Sequence, residues 1–433
     1  MLHKQMLLAL VALTSLNTSV IGTSKPAESI TAERIAHLRA KERAAWAAYL
    51  DRSQKQMLAD RAALAAERTR GAPVPPLPKE GLTARSMPLD CDAAWYGTAE
   101  AHHLADVIVS FQTPAGGWSK NLDFSGERRA QGQSYAPDNL NKHPGPDDFD
   151  TPRDPTWNYV GTLDNDATTT ELRFLARVAA ATITHDGDLY RVSFRKGIHY
   201  LLAAQFPNGG WPQVWPLQGG YHDAITYNDN AVSQAAELMT DVSAGAGQYS
   251  FLPPDLRQQA AASADRALDC ILRTQIIVNG KRTAWAQQID AITLQPVSAR
   301  NYEPAALSSG ESADLLLYLM RLPRPSGAVA AAIQDGITWL NSTAIYGQQW
   351  VGGRNPPSGR HLESKPDAGP IWARFYSISA NKQIFGDRDK TIHDDVAEIS
   401  LERRNGYAWY SSGPQQALEA YEGWRRLHPS IIR

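Results

Sequence analysis

Two stretches, Gln112-Thr-Pro-Ala-Gly-Gly-Trp118-Ser-Lys120 and Gln205-Phe-Pro-Asn-Gly-Gly-Trp211-Pro-Gln213, repeat one another closely enough to be copies of one structural unit. A weaker third copy is Thr274-Gln275 followed by Thr283-Ala-Trp285-Ala-Gln-Gln288, in which the Gly-Gly pair is missing. Internal repetition of this kind reports architecture ahead of any local signal. Around the loops the apolar spacing is helical, over about Gly97 to Val109, Glu171 to Thr184, Ser193 to Gln205, Ser233 to Val242, Gln258 to Thr274, Gly310 to Leu322, Gly327 to Asn341 and Pro414 to Leu427. No convincing run of alternating residues intervenes. The pattern predicts an all-α fold, an (α/α) toroid or barrel of helical hairpins whose stacked pairs bury a common core.

Ahead of the repeats, Thr31 to about Arg70 is rich in Ala, Arg and Glu and free of Pro, which predicts one long helix or a helical hairpin acting as a brace on the main body. Gly71-Ala-Pro-Val-Pro-Pro-Leu-Pro78 stops it and reads as a stiff linker. Met1 to about Thr23 has a cationic Lys4, a short apolar run and small polar residues, the pattern of a secretory signal peptide cleaved near Gly22. The expected organisation is a leader over 1–23, a helical segment with its linker over 24–79 and a toroid over 80–433, secreted or periplasmic and monomeric.

A formal charge of −2 over 433 residues gives no global field to recruit nucleic acid or an acidic polymer, so such attraction must be local. Neither nucleic acid nor a membrane is an expected partner. Cys91 and Cys270 either pair or are two buried thiols, and with no CxxC and few clustered His a zinc site is not expected.

Thr162-Leu163-Asp164-Asn165-Asp166-Ala167-Thr168 runs into a helical pattern, and Thr226-Tyr227-Asn228-Asp229-Asn230-Ala231-Val232 repeats it with Asp and Asn exchanged. One Asx residue suffices to cap a helix. Three in succession offer spare hard oxygens of the kind calcium binds. In a toroid the equivalent loops of successive hairpins converge on one end. Asp164, Asp166, Asn228 and Asp229 would then meet the third module's Arg300-Asn-Tyr302-Glu303-Pro304 and the later Trp372-Ala-Arg374-Phe-Tyr376 and Asp387-Arg388-Asp389. Taken singly, Arg300 and Arg388 read as ordinary ion-pair arginines. The irregular stretch from Asn121 to Val160 is too long for an idle loop and is expected to flank the cleft. Trp118, Trp211, Trp215 and Tyr302 would suit stacking on sugar rings, although a Trp repeated at equivalent positions is more often a wedge between helices.

As an ordered set, Leu163-Asp-Asn-Asp-Ala-Thr-Thr-Thr-Glu-Leu-Arg-Phe-Leu175, Gln205-Phe-Pro-Asn-Gly-Gly-Trp-Pro-Gln213, Ile225-Thr-Tyr-Asn-Asp229, Ala299-Arg300-Asn-Tyr-Glu303 and Gly386-Asp-Arg388 resemble the pectate lyases of polysaccharide lyase family ten, over about Cys91 to Arg425. The resemblance implies cleavage of polygalacturonate, an acidic plant cell-wall polysaccharide, by calcium-assisted β-elimination to unsaturated oligogalacturonides. It implies that Asp229 and an aspartate of the first loop, Asp164 ahead of Asp166, bind Ca2+, that Arg300 is the base, and that Arg374 and Arg388 hold substrate carboxylates. Lys120, Asn228 and Tyr302 are further candidates for substrate binding. Without the resemblance Arg300 reads as an electrostatic clamp, because arginine is ordinarily always protonated, and the base would be sought at Lys120 or Tyr302. The competing readings are a glycoside hydrolase using Asp164 and Asp229, and a noncatalytic sugar-binding protein. A terpene cyclase is disfavoured by the spacing of its acidic motif.

Overall fold

The computed structural model describes residues 20–82, 86–145, 147–182, 186–353 and 359–429. Most of the expected leader and the end of the helix expected to reach Thr184 therefore lie outside the described residues. The helices are α1 (Ala32–Ala36), α2 (Ala40–Ala66), α3 (Ala99–Ser110), α4 (Thr169–Ala181), α5 (Asp186–Ala204), α6 (Ala231–Ala244), α7 (Pro254–Thr274), α8 (Ser309–Arg321), α9 (Gly327–Thr343), α10 (Leu401–Gly406) and α11 (Gln415–Leu427). They form an (α/α) toroid of hairpins. In each hairpin an outer helix (α3, α5, α7, α9) leads through a Trp loop to an inner one (α4, α6, α8, α11), and inner helices pack on inner, outer on outer.

Burial distinguishes α7 from α4, although α11, which closes the last hairpin, buries only Ala417 and Trp424. Outer helix α7 buries a single stripe, Leu256, Ala260, Ser263, Ala267, Cys270, Ile271 and Thr274, the spacing of one helical face. Inner helix α4 is buried almost all round, with Thr169 to Leu172, Phe174 to Ala176, Val178 and Ala179 all inside. Cys270 thus belongs to the core, and both it and Cys91 are free thiols.

The repeated tryptophans are wedges. Trp118, Trp211, Trp285 and Trp372 are fully buried. Their indole N–H groups donate to the carbonyls of Ile108 (2.7 Å), Leu201 (2.8 Å), Ile271 (2.7 Å) and Leu340 (2.8 Å) near the ends of α3, α5, α7 and α9. Each thereby satisfies a carbonyl in the terminal turns, where helical partners run out. Trp372 makes a fourth copy that its bare Trp-Ala-Arg context concealed. Trp215 is buried as well, so no Trp of these loops is a sugar platform.

A glutamine clasp ties each outer helix to the next. Gln112 donates to the Gly116 and Ser193 carbonyls and accepts from Ser193 Oγ. Gln205 repeats this with Gly209 and Ser263. Gln275 donates to Thr283 and Ala332, but Ala332 has no hydroxyl, and Gln275 Oε1 is buried without a partner. The glycines are steric: Gly209 sits at φ +99°, and a Cβ there would lie 2.0 Å from the Arg266 carbonyl oxygen. In the third module the loop is longer, carrying a small hairpin of Ile277–Val278 with Lys281–Arg282, and its backbone approaches without Gly-Gly.

Short strands, invisible to a periodicity reading because most pair over only two residues, complete the body. Leu307–Ser308, Phe375–Tyr376, Gln383–Gly386, Thr391–His393 and Val20–Thr23 follow one another in a five-stranded sheet, so the expected cleavage position at Gly22 falls within an edge strand. Helix α2 lies on the toroid: the Tyr49 hydroxyl donates to the Ala204 carbonyl at 2.9 Å, and Trp46 and Tyr49 pack on Phe206. Among the described residues no helix is long and apolar enough to cross a membrane.

Candidate active site

The position two residues after each wedge tryptophan holds Lys120, Gln213, Gln287 and Arg374. The backbone carbonyls of the last three accept from Leu163 (3.0 Å), Tyr227 (2.9 Å) and Ser309 (3.1 Å), so each Trp loop is stitched to the polar loop of the module before it. The four side chains add further ties to these loops. Lys120 Nζ lies 2.6 Å from Asp164 Oδ2, and Gln213 Nε2 donates to Asp164 Oδ1 at 2.9 Å. Gln287 Nε2 (2.7 Å) and Arg374 Nη2 (3.0 Å) both donate to Asn228 Oδ1, and Arg374 also reaches Glu311 at 2.7 Å.

The Asx loops do not cap their helices: Thr168 and Asn230, at the N-termini of α4 and α6, make no side-chain capping bond. Asn165, Asp166, Asp229 and Asn230 instead have positive φ, between 47° and 64°. Asn and Asp adopt that left-handed region more readily than other side-chain-bearing residues. The reversal aims neighbouring carboxylates to opposite sides. Asp164 and Asp229 face the cleft, while Asp166 accepts from Gln234 Nε2 at 2.5 Å and does not line it.

Asp164 and Asp229 hydrogen-bond to each other through their carboxyl groups. Burial and the neighbouring Asp164 charge push Asp229 up to about 7. Asp164 is also penalised by burial, but Lys120, with help from Arg300, outweighs this and holds it below the usual carboxylate value. Without a cation the pair therefore shares a proton near neutrality. Carboxyl groups in hydrogen-bond contact are closer than the ~5 Å or more that separates a glycosidase pair.

Across the cleft, Arg300 to Glu303 forms a tight turn. Arg300 Nε and Nη2 donate to Glu303 Oε2 (2.9 Å) and Oε1 (2.6 Å), and the Tyr407 hydroxyl donates to Oε1 at 2.6 Å. Burial opposes the charge on Glu303, but Arg300 and these bonds overcome it and hold the carboxyl near 2. Burial likewise opposes the Arg300 charge, and Glu303 with Tyr302 and Tyr407 overrides it, so the guanidinium holds its proton well above the ordinary arginine value. Arg300, Arg388 and Arg403 surround the Tyr302 ring, with guanidinium carbons 5.2, 5.4 and 4.2 Å from its centroid. Arg388 also pairs with Glu402 at 2.7 Å.

Lys120, Asp164, Asn228, Asp229, Arg300, Tyr302 and Arg388 thus line one cleft of about 410 Å³. Arg374 stands behind Asn228 and Glu311 instead of on the cleft wall. Tyr302 is 4 % exposed and serves as a hub for arginines rather than an open stacking face. The long loop flanks the cleft as expected, contributing Asp138 to His143, Asp150 and Tyr159. Sequence reasoning missed Gln213, Gln287, Glu311, Arg403 and Tyr407. The first two were signalled by their fixed offset from the wedge tryptophans; Tyr407 and Arg403 lie outside any repeat.

A family model described as "Pectic acid lyase" matches residues 112–418. Two solved structures share the fold at a TM-score of 0.64 and 28 % identity: a Family 10 polysaccharide lyase from Cellvibrio cellulosa, and an aspartate-to-alanine mutant of a Family 10 polysaccharide lyase from the same organism in complex with trigalacturonic acid. The alignments cover 80 % and 79 % of this chain and 99 % of each neighbour. No match is found among curated proteins.

Proposed function

The chain belongs to the pectic acid lyase family, and from this premise we propose that it cleaves polygalacturonate by calcium-dependent β-elimination, leaving unsaturated oligogalacturonides. The observation that carries the reading is the Asp164–Asp229 carboxyl pair, set in one cleft with Lys120, Arg300 and Arg388. A divalent cation fits this pair. Two carboxylates in contact carry one negative charge too many for a buried site, and each carboxylate oxygen has a second lone pair to offer. Among the described residues no group of three or more acidic, His or Cys side chains surrounds the position. Calcium takes six to eight oxygens, so substrate carboxylate and water would complete the set around Asp164 and Asp229. Bound there, calcium supplies positive charge beside the uronate carboxylate and so acidifies the C5 proton.

The remaining work falls to the chain's own groups. Arg388 offers a cation to the carboxylates of neighbouring sugars, with Asn228 and Lys120 at the wall of the same cleft. Arg374 acts from behind, holding Asn228 in place. Arg300 takes the C5 proton. The C5–H electron pair becomes the C4–C5 double bond, and O4 departs with the pair from the C4–O4 bond, taking a proton from water. The leader Met1 to Thr23 is proposed to export the enzyme to its polymer.

On polygalacturonate with calcium, absorbance of the unsaturated ends should rise steadily, and a chelator should abolish it. Asp229→Ala and Arg300→Ala should each leave a folded protein with activity reduced by about 10²-fold or more. Full activity in calcium-free buffer would remove the metal from the mechanism, and an active Arg300→Ala would remove the base.

A further inference from the structure

Glu303 is wholly enclosed, at 1 % exposure, and three of the four hydrogen bonds its carboxylate accepts come from Arg300. Oε2 accepts the Arg300 backbone N–H (3.0 Å) and Nε (2.9 Å), while Oε1 accepts Nη2 (2.6 Å) and the Tyr407 hydroxyl (2.6 Å). The Glu303 N–H in turn donates to the Arg300 carbonyl at 2.9 Å. The carboxylate cannot swing without breaking these bonds. Among the described residues Nη1 has no hydrogen-bond partner, and the one-third-exposed Arg300 side chain lines the cleft.

A neutral guanidine has one nitrogen with an in-plane lone pair in place of a proton, and that nitrogen can be Nε, Nη1 or Nη2. With the lone pair on Nε the bond to Oε2 is lost outright, and with it on Nη2 the bond to Oε1 falls to the single remaining imine N–H, a poorer donor than an amino N–H. The tautomer with the lone pair on Nη1 keeps both bonds.

We propose that Glu303 is a positioning residue that fixes the tautomer of neutral Arg300, so that the lone pair accepting the C5 proton sits on Nη1 at the cleft surface. This rests on Arg300 being the base, as proposed above. The role parallels that of a carboxylate that holds one nitrogen of a catalytic imidazole and so determines which nitrogen is basic. The step balances. Nη1 takes the C5 proton, water protonates O4, and the hydroxide so formed recovers the proton from Nη1. Against burial, the same carboxylate, aided by Tyr302 and Tyr407, strengthens Arg300's hold on its proton; Asp164 also faces Arg300, and the cations Arg388 and Arg403 share the Tyr302 ring with it. The rate should therefore climb into the alkaline range.

The test uses the full-length chain on polygalacturonate at saturating calcium, with kcat and KM measured across the alkaline range. For Glu303→Gln, whose amide cannot accept both bonds, kcat should fall by about 10²-fold or more while KM changes less than about threefold. The alkaline limb of kcat/KM should also move to lower pH, because the charge holding the Arg300 proton has gone. Wild-type kcat with an unmoved limb, or a loss confined to KM, would overturn the proposal. Should Glu303→Gln not fold, Glu303→Asp decides: it keeps the charge but reaches only one nitrogen well, so kcat should fall with KM and the limb nearly unmoved, and an unchanged kcat is the overturning result. Arg300→Ala run in parallel separates the two claims. If it is active, the base assignment fails; if it is inactive while the Glu303 variant behaves as wild type, the base stands and the positioning role fails.

Discussion

Asn165 and Asp229 turn their loops through the left-handed region, and this decides which aspartates share the cleft. A sequence reading sees Asp164 and Asp166 as equivalent acids two residues apart. The backbone reversal between them is not encoded in their identities; in the fold Asp166 accepts from Gln234 while Asp164 lines the cleft. Asp164→Asn should therefore raise the calcium needed for half-maximal activity by about tenfold or more, and Asp166→Asn should change it little; calcium titrations of activity compare the two. Glu171, in the first turn of α4, carries a different signal. It is fully enclosed, and its oxygens lie near the backbone N–H groups of Thr168 and Glu171 without meeting a partner at full hydrogen-bond geometry. Burial raises its carboxyl from 4.5 to about 8. The folded chain then keeps a proton that the unfolded chain loses, so this group's contribution is fully present below pH ~4.5 and is lost as pH rises to ~8. Glu171→Gln should flatten the decline in Tm between those limits, and an unchanged Tm–pH slope would show that the carboxyl is already ionised in the fold.

The helices were legible because amphipathic stripes recur along the sequence, and observed ends fall mostly within a few residues of those expected, as in α8 and α9. The strands were not, since two-residue pairings such as Leu307–Ser308 with Phe375–Tyr376 are too short to show alternation. The Gly-Gly-Trp loops were legible as repeats, but the reason for their glycines is a contact with a different helix. Gly209→Ala would place its Cβ against the Arg266 carbonyl at a φ that side chains resist, and should destabilise the protein by about 2 kcal/mol or more. The third clasp offers the opposite change. Ala332→Ser would give the orphaned Gln275 Oε1 the hydroxyl that Ser193 and Ser263 supply in the other modules. It should add about 1 kcal/mol, read as a small rise in Tm, and an unchanged or lower Tm would mean the hydroxyl cannot reach.

On the scale of the whole molecule, a nearly neutral chain gathers Lys120, Arg300, Arg388 and Arg403 at one cleft and buries every Trp of its repeated loops. If, as proposed, these cations hold the polymer's carboxylates, binding should weaken with screening. With calcium saturating, KM should rise several-fold between low and high salt while kcat holds, and a KM indifferent to salt would point to apolar contacts instead. The stitching of each polar loop to a later Trp loop has a further consequence, in time rather than in space. Asn228 is held by Arg374, which lies 146 residues farther along the chain, and Arg388 and Tyr407 follow later still. A ribosome releases the Asp164 and Asp229 loops long before the residues that fasten the cleft, so under the proposed site a nascent chain should stay catalytically silent until its last hairpin has been made and docked. The enzyme is in effect armed at the end of its own synthesis, and a nick after α9 should disarm it while leaving much of the toroid standing.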